Sequence, residues 1–137
     1  PDSVVKLGFV SDADLASLYR GAVALVFASR REGFGYPVVE AMASGCPVIT
    51  SNRSSLIEIA GDAAFTIDPD DTDAIADAIV LLADDNAERR RLAEQGPVRA
   101  RAFSRATMAE RTLEVYRQVH REMRDPKTPP TRRGIAS

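Results

Sequence analysis

The sequence predicts an α/β chain built on a doubly wound parallel sheet and followed by C-terminal helices. Three observations predict it. Val23-Ala24-Leu25-Val26-Phe27 is a continuous apolar run too short for a typical helix, the pattern of a strand covered on both faces. A glycine-bearing loop and a helical stretch separate it from a second such run, Pro47-Val48-Ile49-Thr50, so strand, helix and strand make a right-handed crossover unit. Beyond Asp70 the strand patterns stop and apolar residues recur at helical spacing.

Each element follows from local chemistry. Val4 to Val10 reads as a short opening strand, and Ser11-Asp12-Ala13-Asp14 supplies an N-cap and acidic first turn for a helix reaching about Arg20. Val23 to Phe27 is the next strand. In Glu32-Gly33-Phe34-Gly35-Tyr36-Pro37 the glycines permit unusual backbone angles and Pro37 suits the start of a helix, which spans Val38 to Ser44. Gly45 stands where a left-handed C-cap is needed, and Cys46-Pro47 forces the exit into the strand Pro47 to Thr50. The polar stretch Asn52 to Ser55 caps a short helix from Leu56 to Ala60, and a brief strand follows at Ala64 to Ile67. Asp70-Asp71-Thr72 caps a helix to about Ala83, a second runs from about Ala87 to Gln95, and Ser104 opens a third reaching about Met123. Residues 1–123 therefore read as one domain, and 124–137, rich in proline and charge, as a disordered tail.

Composition narrows the function. The 137 residues are 45% hydrophobic and 28% charged, the balance of a globular domain. A net charge of −2 offers no general attraction to nucleic acid or anionic membranes, so any anion recognition is local. One cysteine and one histidine cannot form an internal disulfide or a Cys/His metal set, and a reducing, cytoplasmic setting fits. No run approaches the roughly 18–20 apolar residues of a membrane span. Cys46 reads as a small packing residue, and His120, near the end of the last helix, has no companion for acid–base work. Arg89-Arg90-Arg91 and the acids from Asp68 to Asp73 read as solvated helix faces and caps.

The chemistry lies in Glu32-Gly33-Phe34-Gly35-Tyr36-Pro37-Val38-Val39-Glu40. The segment joins the carboxyl end of a parallel strand to a helix N-terminus, the position where open α/β sheets bind ligands. Gly33 and Gly35 let backbone N–H groups approach a ligand, and the helix directs its partial positive end into the same space, which suits a diphosphate. Glu32 can accept hydrogen bonds from hydroxyls, and Glu40, one turn into the helix, can grip a vicinal diol such as a ribose. Singly, each glutamate is an ordinary solvated carboxylate. Together with the glycines and flanking strands they suit a sugar nucleotide. Phe34 fits equally as a core anchor or a ligand neighbour.

The stretch Leu25 to Thr50, with Ser29, the Glu32 to Glu40 core, Ala41-Met42-Ala43, Gly45 and Pro47-Val48-Ile49, resembles the E-x7-E region of family 4 (group 1) retaining glycosyltransferases. The likeness extends to Gly8-Phe9-Val10-Ser11-Asp12 with Leu15 and Tyr19, and to Leu56-Ile57-Glu58, Gly61-Asp62-Ala63-Ala64 and Asp68-Pro69, covering roughly Val4 to Tyr116. The resemblance implies a Rossmann-like donor-binding domain of the GT-B fold, partial at its N-terminal side. It implies that Glu32 contacts the donor sugar, that the backbone around Gly33, Phe34, Gly35 and Tyr36 meets sugar hydroxyls and diphosphate, and that Glu40 holds the ribose with Val39 packing nearby. It further implies a hexosyl transfer from an NDP-sugar to an acceptor hydroxyl with retained configuration, no metal and no cofactor.

The family's N-terminal acceptor domain and its basic Arg/Lys pair have no counterpart here, so turnover by this chain alone is not expected. Arg30 and Arg31 read as solvated loop residues rather than substitutes for that pair. A sheet missing strands exposes an edge, which predicts self-association of the isolated chain. The alternative functions are a non-catalytic sugar-nucleotide-binding module and an α/β interaction module.

Overall fold

A computed structural model describes residues 3–124, which divide into two compact units between Ala102 and Phe103. The first unit runs α1 (Asp12–Gly21), β1 (Leu25–Phe27), α2 (Tyr36–Ala43), β2 (Val48–Ser51), α3 (Ser55–Ala60), a 3-10 turn at Gly61–Ala63, β3 (Phe65–Ile67), α4 (Thr72–Asp84) and α5 (Asn86–Ala100). The second unit carries α6 (Arg105–Arg124), started by Ser104, whose hydroxyl accepts the Thr107 N–H at 3.1 Å.

The three strands form one parallel sheet in the order β1-β2-β3, with Val26 opposite Ile49 and Ile49 opposite Phe65. β2 is central and buried along its whole length. Because successive side chains point to opposite faces, full burial of four consecutive residues means that both faces of β2 are covered. Ile49 joins Ile67, Ala78, Leu82 and Leu92 in a core shared by β2, β3, α4 and α5. The polar Thr50 is satisfied in place: its hydroxyl donates to the Phe27 carbonyl at 3.0 Å.

The helices start and stop as their capping residues dictate. Ser11 accepts the Asp14 N–H at 3.2 Å, Asp71 accepts that of Ala74 at 2.9 Å, and Asp85 accepts those of Ala87 and Glu88 at 2.8 and 3.0 Å. Gly45, at φ +74°, ends α2 with its N–H on the Met42 carbonyl.

Four expectations change. Val4 to Val10 forms no strand, since nothing among the described residues pairs with it, and Phe9 stands 98% exposed. β1 starts at Leu25 and is not covered on both faces: it is the sheet edge, with Val26 41% exposed and Val23 also exposed. α5 does not end near Gln95 but continues through Pro97 to Ala100. Gly96 explains the continuation, because a Cβ there would lie 3.1 Å from the Met42 carbonyl oxygen. Its absence lets α5 rest directly on α2, and that packing offsets the hydrogen bond lost at proline. Arg124, expected in the tail, closes α6, and the expectation for 125–137 lies outside the described residues.

Candidate functional site

The loops that leave β1, β2 and β3 at their carboxyl ends are tied together. Arg30, after β1, pairs with Asp70, after β3, at 2.6 Å; Arg53, after β2, reaches Asp68 at 2.7 Å and Asp70 at 2.6 Å. The Arg53 guanidinium, with Arg30 adding to it, holds the Asp70 carboxyl below its ordinary value, and both aspartates in turn push Arg53 up. These groups are solvent-exposed, so the network orients loops more than it stabilises the fold. Arg30 is thus engaged with Asp70 rather than simply solvated.

Within this frame the Glu32 to Glu40 segment takes a defined shape. Gly35 is the N-cap of α2 at φ +112°, ψ +50°, and provides no side-chain cap; Pro37 has no N–H and the Val38 and Val39 N–H groups donate to the Gly35 carbonyl at 3.1 and 3.4 Å, so in the first turn the Tyr36 N–H is the donor left for another acceptor. Its glycine is required twice over: the conformation is left-handed, and a Cβ would fall 2.5 Å from Cδ2 of the buried Leu56. Gly33 is not at positive φ and has open space where a Cβ would stand, so of the two glycines it is Gly35 that takes the unusual backbone angle the sequence permits at both. The Phe34 and Tyr36 rings meet at 4.8 Å between centroids, tilted by 52°, with Phe34 half-buried and Tyr36 68% exposed.

Glu32 is half-buried in the loop and Glu40 is exposed one turn into α2, with Val39 half-buried beside it. Neither carboxylate takes a hydrogen bond or ion pair among the described residues. Glu40 lines a groove of about 330 Å³ between α1 and α2, with Asp12, Leu15, Ala16, Tyr19, Ala43 and Ser44. The Tyr19 phenol, at the base of this groove, is pushed up by burial first, then by the Glu40 carboxylate and the Cys46 thiol. A larger hollow of about 690 Å³, lined by Leu7, Phe9, Val10 and α1, includes neither glutamate of the pair. Cys46 is buried, its thiol donates to the Pro47 carbonyl, and burial pushes it up, the opposite of a nucleophile's shift.

Sequence reasoning missed three groups. Arg53 and the hydroxyls of Ser54 and Ser55 reach other loops only in the fold; Ser54 and Ser55 donate to backbone carbonyls of the Glu32 loop. Arg89 and Arg91 are also more than solvated: Arg89 donates to the Leu82 and Ala83 carbonyls at the end of α4, and Arg91 binds Glu88, Gln95 and the Asp62 carbonyl. A signal existed for Arg89, since a cation shortly after a helix end is placed to meet its last carbonyls. None of the helices described is long and apolar enough to cross a membrane.

The chain and its fold are similar to known proteins. O-antigen chain mannosyltransferase B of Escherichia coli is 40% identical over 111 residues, 81% of this chain and 29% of that protein. The MMP α-(1→4)-mannosyltransferase of Mycolicibacterium hassiacum is 37% identical over 80% of this chain and 28% of its own length. The chain therefore spans under a third of these relatives. Sucrose-phosphate synthase of Thermosynechococcus elongatus superposes with a TM-score of 0.78 at 33% identity, over 87% of this chain and 31% of that one. The C-terminal domain of a glycosyl transferase group 1 family protein of Francisella tularensis gives 0.61 at 34% identity, over 70% and 51%. The parallel α/β arrangement is that of a GT-B glycosyltransferase domain. The family described as glycosyl transferases group 1 matches residues 1–99, and the chain belongs to it.

Proposed function

We propose that this chain is the nucleotide-sugar half of a retaining glycosyltransferase that moves a hexosyl group from an NDP-sugar to an acceptor hydroxyl. The observation that carries it is a juxtaposition. Two carboxylates without partners among the described residues, Glu32 and Glu40, flank the N-terminus of α2, which has no side-chain cap, at the carboxyl edge of a parallel sheet.

In this reading the diphosphate lies at the α2 N-terminus, where the Gly33 to Tyr36 backbone and the helix dipole favour negative charge. Glu40 takes the ribose diol, and the groove beside it, with Leu15, Ala16 and Ala43 for walls, takes the flat part of the nucleoside. Val39 packs behind Glu40. Glu32 accepts hydrogen bonds from the donor sugar and is the catalytic residue. Its negative charge stabilises the positive charge that develops as the sugar–phosphate bond breaks, while the helix end receives the negative charge gathering on the leaving diphosphate. The electron pair of the anomeric C–O bond leaves with the phosphate, the acceptor oxygen supplies the new bond, and the acceptor proton passes to the leaving phosphate. No metal or cofactor takes part.

The names of the first relatives make a mannosyl donor the first to try. The acceptor site belongs to a separate domain of the longer protein, turnover requires it, and the setting is cytoplasmic. Calorimetric titration with UDP, GDP and ADP and their sugar conjugates, without added metal, tests the reading. Selective binding to one base, lost in Glu40→Ala, is the expected result; binding unaffected by that substitution refutes the ribose role.

A further inference from the structure

Ser54 is the sole non-glycine residue at positive φ among the described residues, at φ +57°, ψ −150°. That region is adopted almost only by glycine, and a non-glycine residue persists there when its surroundings over-determine it. The surroundings are on both sides. On one side the Arg53 N–H donates to Ser51 Oγ at 3.1 Å and its guanidinium is held by Asp68 and Asp70. On the other, Ser54 Oγ donates to the Glu32 carbonyl at 2.8 Å, and Ser55 Oγ sits 2.8 Å from the Phe34 carbonyl and 3.1 Å from that of Glu32.

These bonds fix orientation through elementary geometry. A trans peptide sets its C=O and N–H in opposite directions, and no peptide among the described residues is cis. Drawing the Glu32 and Phe34 carbonyls toward the start of α3 turns the N–H groups of Gly33 and Gly35 away from it. Nothing lies within 4 Å of the place a Cβ at Gly33 would take, so the loop is open there.

We infer that Ser54 and Ser55 are positioning residues for the donor: their hydroxyls, braced by the strained turn, set the direction of the Gly33 and Gly35 N–H groups and the stance of Glu32. This rests on the donor-site reading above. The diphosphate, which lies on these N–H groups, and the donor sugar, which Glu32 contacts, both depend on the serines, whereas the ribose contact of Glu40 does not.

The test uses the full 137-residue chain. Backbone 15N order parameters of Gly33 and Gly35 should be near about 0.85 in the native sequence and fall below about 0.6 in Ser54→Ala/Ser55→Ala, while those of β2 stay unchanged. If that double variant does not fold, Ser54→Gly relaxes the turn and removes one hydroxyl; Gly33 then loses order and Gly35, still held by Ser55, keeps it. Ser55→Thr, which retains the hydroxyl, should leave both ordered. In titrations the double variant should lose about tenfold in affinity for both the nucleoside diphosphate and its sugar conjugate, and keep affinity for the bare nucleoside, which Glu40 holds, within about twofold. Unchanged order parameters, or unchanged affinity for both the diphosphate and its sugar conjugate, overturn the inference. Native chain that binds neither ligand overturns the donor-site reading instead, and the order parameters still decide whether the serines hold the loop.

Discussion

β1 and β2 are neighbouring parallel strands written in similar apolar residues, yet they live in different environments. β2 is buried at every position, whereas β1 leaves Val26 exposed and is preceded by a segment whose Val4, Val5, Leu7 and Phe9 all face solvent. The difference is not one of composition. A strand is covered on both flanks only when it has two ladder partners, and among the described residues β1 has one. The two loops that form the candidate site leave the carboxyl ends of these strands, so the site has a rigid wall on the β2 side and an open flank beyond β1.

The contrast is sharpest in truncation energies. Ile49→Ala should cost about 3–4 kcal/mol in urea unfolding, since it removes a fully buried side chain from the core of four elements. Val26→Ala, directly opposite in the register, should cost under about 1 kcal/mol. Equal losses would mean that β1's outer side is covered in solution, as self-association would do.

The same inequality recurs within the loop at smaller scale. Gly35→Ala should cost about 2–3 kcal/mol, through its positive φ and the collision with Leu56, while Gly33→Ala should stay within about 0.5 kcal/mol. Denaturant midpoints of the two variants compare them directly, and similar values would refute the wall-and-flank picture of the loop.

The smallest effect lies in the ion pairs that join the loops. Asp70 has a folded value lowered from 3.8, so its contribution is present above that pH and is lost as pH falls through the lowered value. In Asp70→Asn the acid limb of the stability curve should flatten slightly, and added salt should narrow the gap from the native chain. An unchanged acid limb would show that the pairs do not hold in solution.

Much of this was legible in the sequence. The crossover from β1 through α2 to β2, the caps Ser11 and Asp71, Gly45 as terminator and the loop-to-helix course of the Glu32 to Glu40 segment all follow from local signals, because caps, left-handed glycines and short apolar runs act within a few residues. What was not legible depends on distant partners. Val4 to Val10 has a strand's composition, but composition cannot supply a partner strand. Pro97 stops a helix by local rules, and only the contact of Gly96 with α2 overrides them. Ser54 and Ser55 looked like loop and cap residues; their reach of more than twenty positions back to Glu32 and Phe34 leaves no trace in local pattern.

The seat of Gly96 on Met42 has a mechanical meaning. Most helix pairs are separated by a cushion of side chains that can change rotamer and absorb a small slide. Here backbone bears on backbone, so α2 has no slack against α5. A shift of α2 along its axis when something docks at its N-terminus must carry α5 with it or separate the two helices outright. Glu40 is therefore mounted on a stiff two-helix beam rather than on a single short helix.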